Sequence, residues 1–185
     1  MVSAMTITPD TKNWTWVLRR PCPECGFEAG AVAREDIPDL LRANAEAWRR
    51  YFADRDAGEL RTRLDPSRWS PLEYACHVRD ADRIYQQRVD LMLEQDDPEY
   101  PNWDQDASAV DGKYAEQDPE TVITELMTAT EQVAARFASV DGDQWQRTGH
   151  RDDGSDFTIE SLARYFVHDP IHHLWDVTGQ RHTDS

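Results

Sequence analysis

The stretch WSPLEYACHVRD, residues 69–80, contains the best-marked helix start in the chain. Ser70 stands at the capping position, Pro71 at the first helical position, and Glu73 three residues after the cap. Ser70 and Glu73 at this spacing are typical of a capping box. Pro71 favours the first helical position because its backbone φ angle is fixed near the helical value. Apolar residues then recur every three or four positions to about Gln95, which predicts a long amphipathic helix.

Three further segments show the same spacing of apolar residues. They cover about residues 37–55, 118–137 and 158–178. Asp36 is the expected cap of the first segment, and Gly179 is the expected stop signal of the last. No alternating apolar runs bounded by turns are found, so strands should be few. The sequence therefore predicts an all-α protein built as a four-helix bundle.

The predicted domain organisation is an N-terminal extension with a CxxC motif, a four-helix bundle and a C-terminal tail, at residues 1–35, 36–178 and 179–185. Within the bundle, residues 96–117 are expected to form a long loop with a short helix. Residues 141–157 are rich in Gly and Asp and are expected to form a loop. Because these connections are long, the bundle need not follow a simple up-and-down order.

The composition limits the classes of function. The 185 residues carry a net charge of −16, and no basic stripe interrupts this acidity. We therefore expect neither nucleic acid nor a membrane as a partner, while a homodimer remains possible. Three cysteines fit a disulfide framework poorly, and no signal-peptide core or membrane-length apolar run is seen. A cytoplasmic location is the simplest expectation.

Three of the six histidines lie within HDPIHHLWDV, residues 168–177. His168 and His172 are four positions apart and share one helical face, whereas His173 points about 100° away. His77 lies on the inward, largely apolar face of its own predicted helix. Three neutral imidazoles from two helices suit Zn, Ni, Fe or Co, and they leave a coordination position open, as catalytic sites do.

A core histidine without a metal is the alternative interpretation. His77 would then be satisfied by a carboxylate such as Asp80 or Asp169, since an unpaired buried charge is costly. Pro170 adds a second question, because it lies between His168 and His172. It removes one backbone hydrogen bond, and either kinks the last helix or marks where a helix begins afresh.

Two stretches resemble a known family. WSPLEYACHVRD at residues 69–80 is similar to the second-helix signature of the DinB-like superfamily, also called the DinB/YfiT-like metalloenzymes. FTIESLARYFVHDPIHHLWDV at residues 157–177 is similar to its last-helix signature, and the resemblance covers about residues 36–178. It points to an actinobacterial branch related to mycothiol-dependent maleylpyruvate isomerase and other thiol S-transferases.

The resemblance implies both a site and an activity. The metal positions of the family fall on His77, His168 and His172, and the metal would be zinc or nickel, with iron or cobalt as alternatives. The implied function is a thiol S-transferase or isomerase, in which the metal activates a low-molecular-weight thiol of the mycothiol type against a small electrophile. The alternatives are a metal-dependent hydrolase and a non-enzymatic, stress-related binding module with a structural or vestigial metal site.

Other residues extend this hypothesis. Asp169 and Asp176 lie beside the ligand face, where either could accept the second ring N–H of a ligand histidine. Arg88 shares the face of His77 and could pair with a core carboxylate or meet an anionic substrate group. The Cys22 and Cys25 pair has three possible interpretations: a structural knuckle, a redox pair or half of a zinc site. His150 or His182 could complete such a zinc site.

Overall fold

Four long helices form the body of the protein, as the apolar spacing predicts. The computed structural model describes Ile7 and residues 13–182, so the remaining parts of the predicted extension and tail lie outside the described residues. In chain order the helices and strands are α1 (Ile37–Ala53), α2 (Ala57–Arg61), α3 (Pro71–Glu94), β1 (Glu99–Tyr100), α4 (Gln105–Asp111), α5 (Pro119–Ala138), β2 (Thr148–Arg151), β3 (Ser155–Thr158) and α6 (Ile159–Thr178). Among these residues no helix is long and apolar enough to cross a membrane.

Local capping explains where the helices begin and end. The Ser70 hydroxyl accepts a hydrogen bond from the Glu73 backbone N–H, and the Glu73 carboxylate accepts one from the Ser70 N–H, so the predicted capping box is confirmed. Gly179 ends α6 in the left-handed conformation, with φ of 67°. Asp36 stands at the N-cap position of α1, as predicted, but its side chain makes no capping hydrogen bond, because a 3-10 turn leads directly into α1.

The order of the helices around the bundle differs from their order in the chain. α5 packs against both α1 and α3, and α6 packs against both as well, so α1 and α3 lie on a diagonal. Fully buried Phe137 and Phe166 fill the interior between these helices, and the Tyr85 ring stacks on Phe166 with the ring centroids 4.3 Å apart. This arrangement brings the middle of α3 directly opposite the middle of α6.

A small sheet lies where a loop was expected. β1 pairs in parallel with β2, and β2 pairs antiparallel with β3 across a turn that contains Gly154 at φ of 85°. The loop prediction for residues 141–157 is therefore wrong over its second half. The Asp-Gly pair in this turn is a hairpin signal, but each strand is too short to show an alternating pattern. The sheet anchors the segment after β1, which carries Trp103.

The N-terminal extension folds onto the bundle. Cys22, Cys25 and Phe27 are buried in the same core cluster as the interior residues of α6. The Arg164 guanidinium of α6 donates a hydrogen bond to the backbone carbonyl of Val32, at 2.9 Å. The segment from residue 13 to residue 36 therefore covers a face of α6 that would otherwise be exposed.

Pro170 lies within a continuous helix. α6 runs from Ile159 through Pro170 to Thr178, so no new helix begins at the proline. The Asn44 side chain of α1 donates a hydrogen bond to the Pro170 carbonyl at 3.1 Å, and both residues are buried. The residues on either side of Pro170 therefore keep regular helical spacing, which decides where the histidines point.

Asp82 of α3 is a buried acid in this core. The Thr130 hydroxyl donates a hydrogen bond to one of its carboxylate oxygens, and the other oxygen has no hydrogen-bond partner among the described residues. Burial, together with the negative charge of Asp169, raises the pKa of Asp82 well above its ordinary value, although Thr130 and Arg83 act in the opposite direction. Folded Asp82 therefore holds its proton to a higher pH than unfolded Asp82.

We expect Asp82→Asn to stabilise the protein at pH 8 and to change little at pH 4. As the pH rises above the ordinary aspartate pKa, the unfolded chain ionises while folded Asp82 stays neutral, so the wild type loses stability. Asparagine stays neutral and keeps an oxygen for Thr130. A gain of about 1 kcal/mol would raise the melting temperature by about 2–4 °C. Thermal unfolding at both pH values, with exposed Asp143→Asn as control, measures this; an unchanged melting temperature at pH 8 would contradict it.

Candidate metal centre

His77 of α3 meets Asp169 and His173 of α6. Asp169 and His173 are four positions apart and therefore share one face of the helix. His77 Nε2 lies 3.4 Å from Asp169 Oδ1, and His173 Nε2 lies 3.5 Å from the same oxygen. One ligand atom from each of the three residues lies within 4.8 Å of the others. Two imidazoles and one carboxylate thus converge on one point.

The spacing of these atoms suits a divalent metal better than a direct hydrogen bond. Ordinary N–H···O hydrogen bonds measure about 2.7–3.2 Å, so the observed distances are long. Nitrogen and oxygen ligands placed tetrahedrally at about 2.0–2.2 Å from zinc lie about 3.4 Å apart. Two histidines and one carboxylate also form a known set for zinc and for iron(II), with positions left open for substrate. The residues therefore fit a metal.

The environment of His77 supports this fit. The His77 side chain is 1% exposed, and its ring lies between Trp103, stacked at 5.0 Å, and Trp69 at 5.2 Å. Its Nδ1 atom has no hydrogen-bond partner among the described residues. The ring is therefore held by packing, while its Nε2 atom faces Asp169.

Asp176 orients His173. Asp176 Oδ2 lies 2.9 Å from His173 Nδ1, so the ring donates its Nδ1–H there and its Nε2 atom faces the centre. Histidine ligands of metals are commonly held this way. Burial lowers the pKa of His173, but Asp169 and Asp176 outweigh it and raise that pKa to about 10. Without a metal, a protonated His173 therefore offsets one of the two negative charges that face it, and the Arg68 guanidinium, 2.9 Å from Asp176, offsets the other.

The three residues line a cavity of about 700 Å³. Arg88 and Arg151 also line it, and both are buried. Arg151 pairs with Asp153 at 2.8 Å. Arg88 donates to the Pro101 carbonyl and lies over two tyrosine rings, but it pairs with no carboxylate among the described residues. Among the described residues that line the cavity, Arg88 is therefore a buried cation without an ion-pair partner.

His168 and His172 belong to a second cluster, with Cys22 and Cys25. Cys22 Sγ lies 3.6 Å from His172 Nδ1, and Cys25 Sγ lies 3.7 Å from His168 Nε2. All four ligand atoms lie within 4.8 Å of one another, and all four residues are buried. Burial raises the pKa of Cys25 to about 12 and lowers the pKa of His168 to about 3. Both groups are therefore neutral at pH 7.

The structure divides the predicted ligand set between these two clusters. His77 lies with Asp169 and His173, and is not grouped with His168 and His172. The physical reason is that successive residues of a helix point about 100° apart. Asp169 and His173 therefore face α3, whereas His168 and His172, each one position earlier, face the extension. His173, which points about 100° away from His172, is the histidine that meets His77.

The other predicted residues have definite places. Asp176 accepts a hydrogen bond from the ring of a histidine, but that histidine is His173. Asp169 faces His77, as the alternative interpretation without a metal expects. Cys22 and Cys25 are joined by two histidines of α6. His150 lies elsewhere, between the carboxylates of the sheet region, and the His182 ring packs on Phe27. The signal that could have identified the centre is the second i, i+4 pair, Asp169 with His173.

Known proteins resemble the chain in sequence pattern and in fold. The family model of the DinB superfamily matches residues 40–177. Among solved structures, YfiT from Bacillus subtilis has a TM-score of 0.62 and 18% identity, covering 94% of this chain and 91% of that chain. That protein is described as a probable metal-dependent hydrolase with an unusual four-helix bundle topology, and at this identity the likeness shows the fold alone. No curated protein matches the chain.

Proposed function

The chain belongs to the DinB superfamily, and from that premise we propose that it is a divalent-metal-dependent enzyme acting on a small anionic substrate, with its metal held by His77, Asp169 and His173. The observation that carries the proposal is the convergence of these three ligand groups in the lining of a cavity of about 700 Å³. A metal there would act as a Lewis acid and would lower the pKa of a coordinating thiol or water.

The residues of the cavity have separate tasks in this proposal. Asp176 holds His173 so that its Nε2 lone pair faces the centre. Trp103 covers the ring of His77 and excludes water from that side. Arg88 would bind an anionic group of the substrate, because no described carboxylate pairs with its buried guanidinium, which therefore favours a negative charge.

Thiol transfer or isomerisation is the first specific reaction that we propose. A thiol and an electrophile must be bound together, and cavities of 300–1,000 Å³ hold drug-sized ligands, so about 700 Å³ leaves room for both. The resemblance to mycothiol-dependent isomerases points the same way. Zinc and nickel are the proposed metals, because imidazole ligands suit both. Hydrolysis is the second candidate, since the same ligand set permits it and YfiT is described as a probable metal-dependent hydrolase.

The test is a metal-dependence assay with two substrates. Untagged protein is depleted with a chelator, reloaded with zinc or nickel, and given a low-molecular-weight thiol and a chromogenic aryl halide. We expect a thioether product: the S–C bond forms, the carbon–halogen bond breaks, halide leaves and the thiol proton passes to solvent. A nitrophenyl ester without thiol tests hydrolysis in parallel.

Variants decide whether the cavity centre carries this reaction. His77→Ala should reduce the metal-dependent rate to that of the depleted protein, because it removes one ligand, whereas His150→Ala on the sheet should keep it. Metal-dependent ester cleavage without thioether formation would replace thiol transfer with hydrolysis. Equal rates for wild type and His77→Ala with every metal would refute an enzyme centred on these residues.

A further inference from the structure

We propose that Cys22, Cys25, His168 and His172 form a second, closed zinc site that fastens the N-terminal extension to α6. The site is separate from the cavity centre. It would hold its metal for structure and not for catalysis, since all four positions of a tetrahedral zinc are filled by protein. Two cysteines and two histidines are one of the ordinary ligand sets of structural zinc.

The distances between the ligand atoms match this set. With Zn–S bonds of about 2.3 Å and Zn–N bonds of about 2.0–2.1 Å, sulfur and nitrogen lie about 3.5–3.6 Å apart in a tetrahedral site. The observed distances are 3.6 Å from Cys22 Sγ to His172 Nδ1 and 3.7 Å from Cys25 Sγ to His168 Nε2. Each sulfur thus faces one imidazole at the separation that a shared zinc would impose.

The backbone around the cysteines has the shape that this site needs. The Gly26 N–H donates to the Cys22 carbonyl at 2.9 Å, and the Cys22 N–H donates to the Phe27 carbonyl at 2.9 Å, which closes a tight turn. Gly26 has φ of 82°, a conformation that suits glycine. The turn therefore presents both sulfurs toward α6.

Burial indicates that the site is closed. Cys22 and Cys25 are 0% exposed, His168 is 4% exposed and His172 is 7% exposed. The Trp14 ring packs on both histidine rings, at 5.4 and 5.0 Å. The two histidine rings also border the cavity, whereas Cys22 and Cys25 are not among the described residues that line it. The extension therefore covers the sulfur side of the cluster completely.

Two other interpretations of the cluster do not need a metal. Weak S–H···N hydrogen bonds could join each cysteine to its histidine, and Cys22 and Cys25 could form a redox pair. Each of these requires only two of the four groups to meet, yet one atom from each of the four lies within 4.8 Å of the others. Convergence of all four is the arrangement that a single tetrahedral ion explains.

The experiment measures zinc content and ligand type in full-length untagged protein. We expect His77→Ala to retain about one equivalent of zinc after mild chelation, and its X-ray absorption to show two sulfur ligands at about 2.3 Å with two nitrogen ligands. Replacing Cys22 and Cys25 together with serine should remove this tightly held equivalent and lower the melting temperature by several degrees. Cys76→Ser, a buried cysteine outside the cluster, is the matched control and should keep it.

The outcomes separate this site from the proposed activity. A zinc shell without sulfur in His77→Ala would overturn the proposal, even if the double cysteine variant does not fold. Zinc-free protein that is isolated with a Cys22–Cys25 disulfide, and that takes up no zinc after reduction, would overturn it in favour of a redox pair. If wild-type protein holds the sulfur-bound zinc but shows no metal-dependent activity, the proposed enzyme function of the cavity centre is wrong and the closed zinc site stands.

Discussion

Asp169→Asn is expected to weaken zinc binding at the cavity centre by at least about 100-fold. Losing a residue that only supports a metal ligand already costs about 10–100-fold in affinity, and in the proposed centre Asp169 supplies a negatively charged ligand oxygen itself. Its Oδ1 atom lies within 3.5 Å of both His77 Nε2 and His173 Nε2, so a neutral amide removes the charge around which the two imidazoles are placed. Zinc titration of depleted protein against a competing chelator measures the change.

Asp156→Asn provides a matched control for this measurement. Asp156 also faces a histidine nitrogen, 2.7 Å from His150 Nδ1, but it lies on the exposed sheet and away from the cavity. Its replacement should leave both zinc affinities unchanged. If Asp169→Asn instead binds zinc as tightly as the wild type, Asp169 only balances the positive charge of His173, and the metal centre is not formed by these three residues.

Phe166→Ala should lower the free energy of unfolding by about 3–5 kcal/mol, the usual range for truncating a buried phenylalanine. Phe166 is fully buried, stacks on Tyr85 at 4.3 Å and lies 6.1 Å from the Phe137 ring. α6 is held on its other side by the extension, so the helix cannot easily move in to fill the resulting space. Denaturant unfolding of metal-saturated protein gives the value.

Leu64→Ala is the control for this substitution. The Leu64 side chain is 81% exposed and should change the unfolding free energy by no more than about 0.5 kcal/mol. A loss below about 1 kcal/mol for Phe166→Ala would mean that the interior between α3, α5 and α6 is less tightly packed than the ring contacts indicate.

Local signals were sufficient to predict the helices. Ser70, Pro71 and Glu73 act through neighbours within one turn, so their effect can be read from spacing alone, and α3 begins where they place it. The strands at residues 148–151 and 155–158 were missed because their pairing partners, not their own patterns, define them. The partner of β1 lies about fifty residues along the chain, and no local rule reports it.

The candidate site was predicted only in part, because two sets of ligand-type residues lie on adjacent faces of one helix. In HDPIHH, residues 168–173, His168 pairs with His172 and Asp169 pairs with His173 at the same spacing. The choice between them depends on which face meets α3. Both faces of α6 are covered, one by α3 and the other by the extension. The spacing of apolar residues in the sequence therefore does not show which of the two pairs faces α3.

The two clusters also restrict how this protein can diverge. Asp169 and His173 face one direction while His168 and His172 face another, all within little more than one turn of α6. A rotation of this helix that improved one set would pull the other set away from its partners. Under the proposed function, new substrate preferences should therefore arise from substitutions in the segment after β1, which carries Trp103 at the cavity, while the sequence of α6 stays almost unchanged.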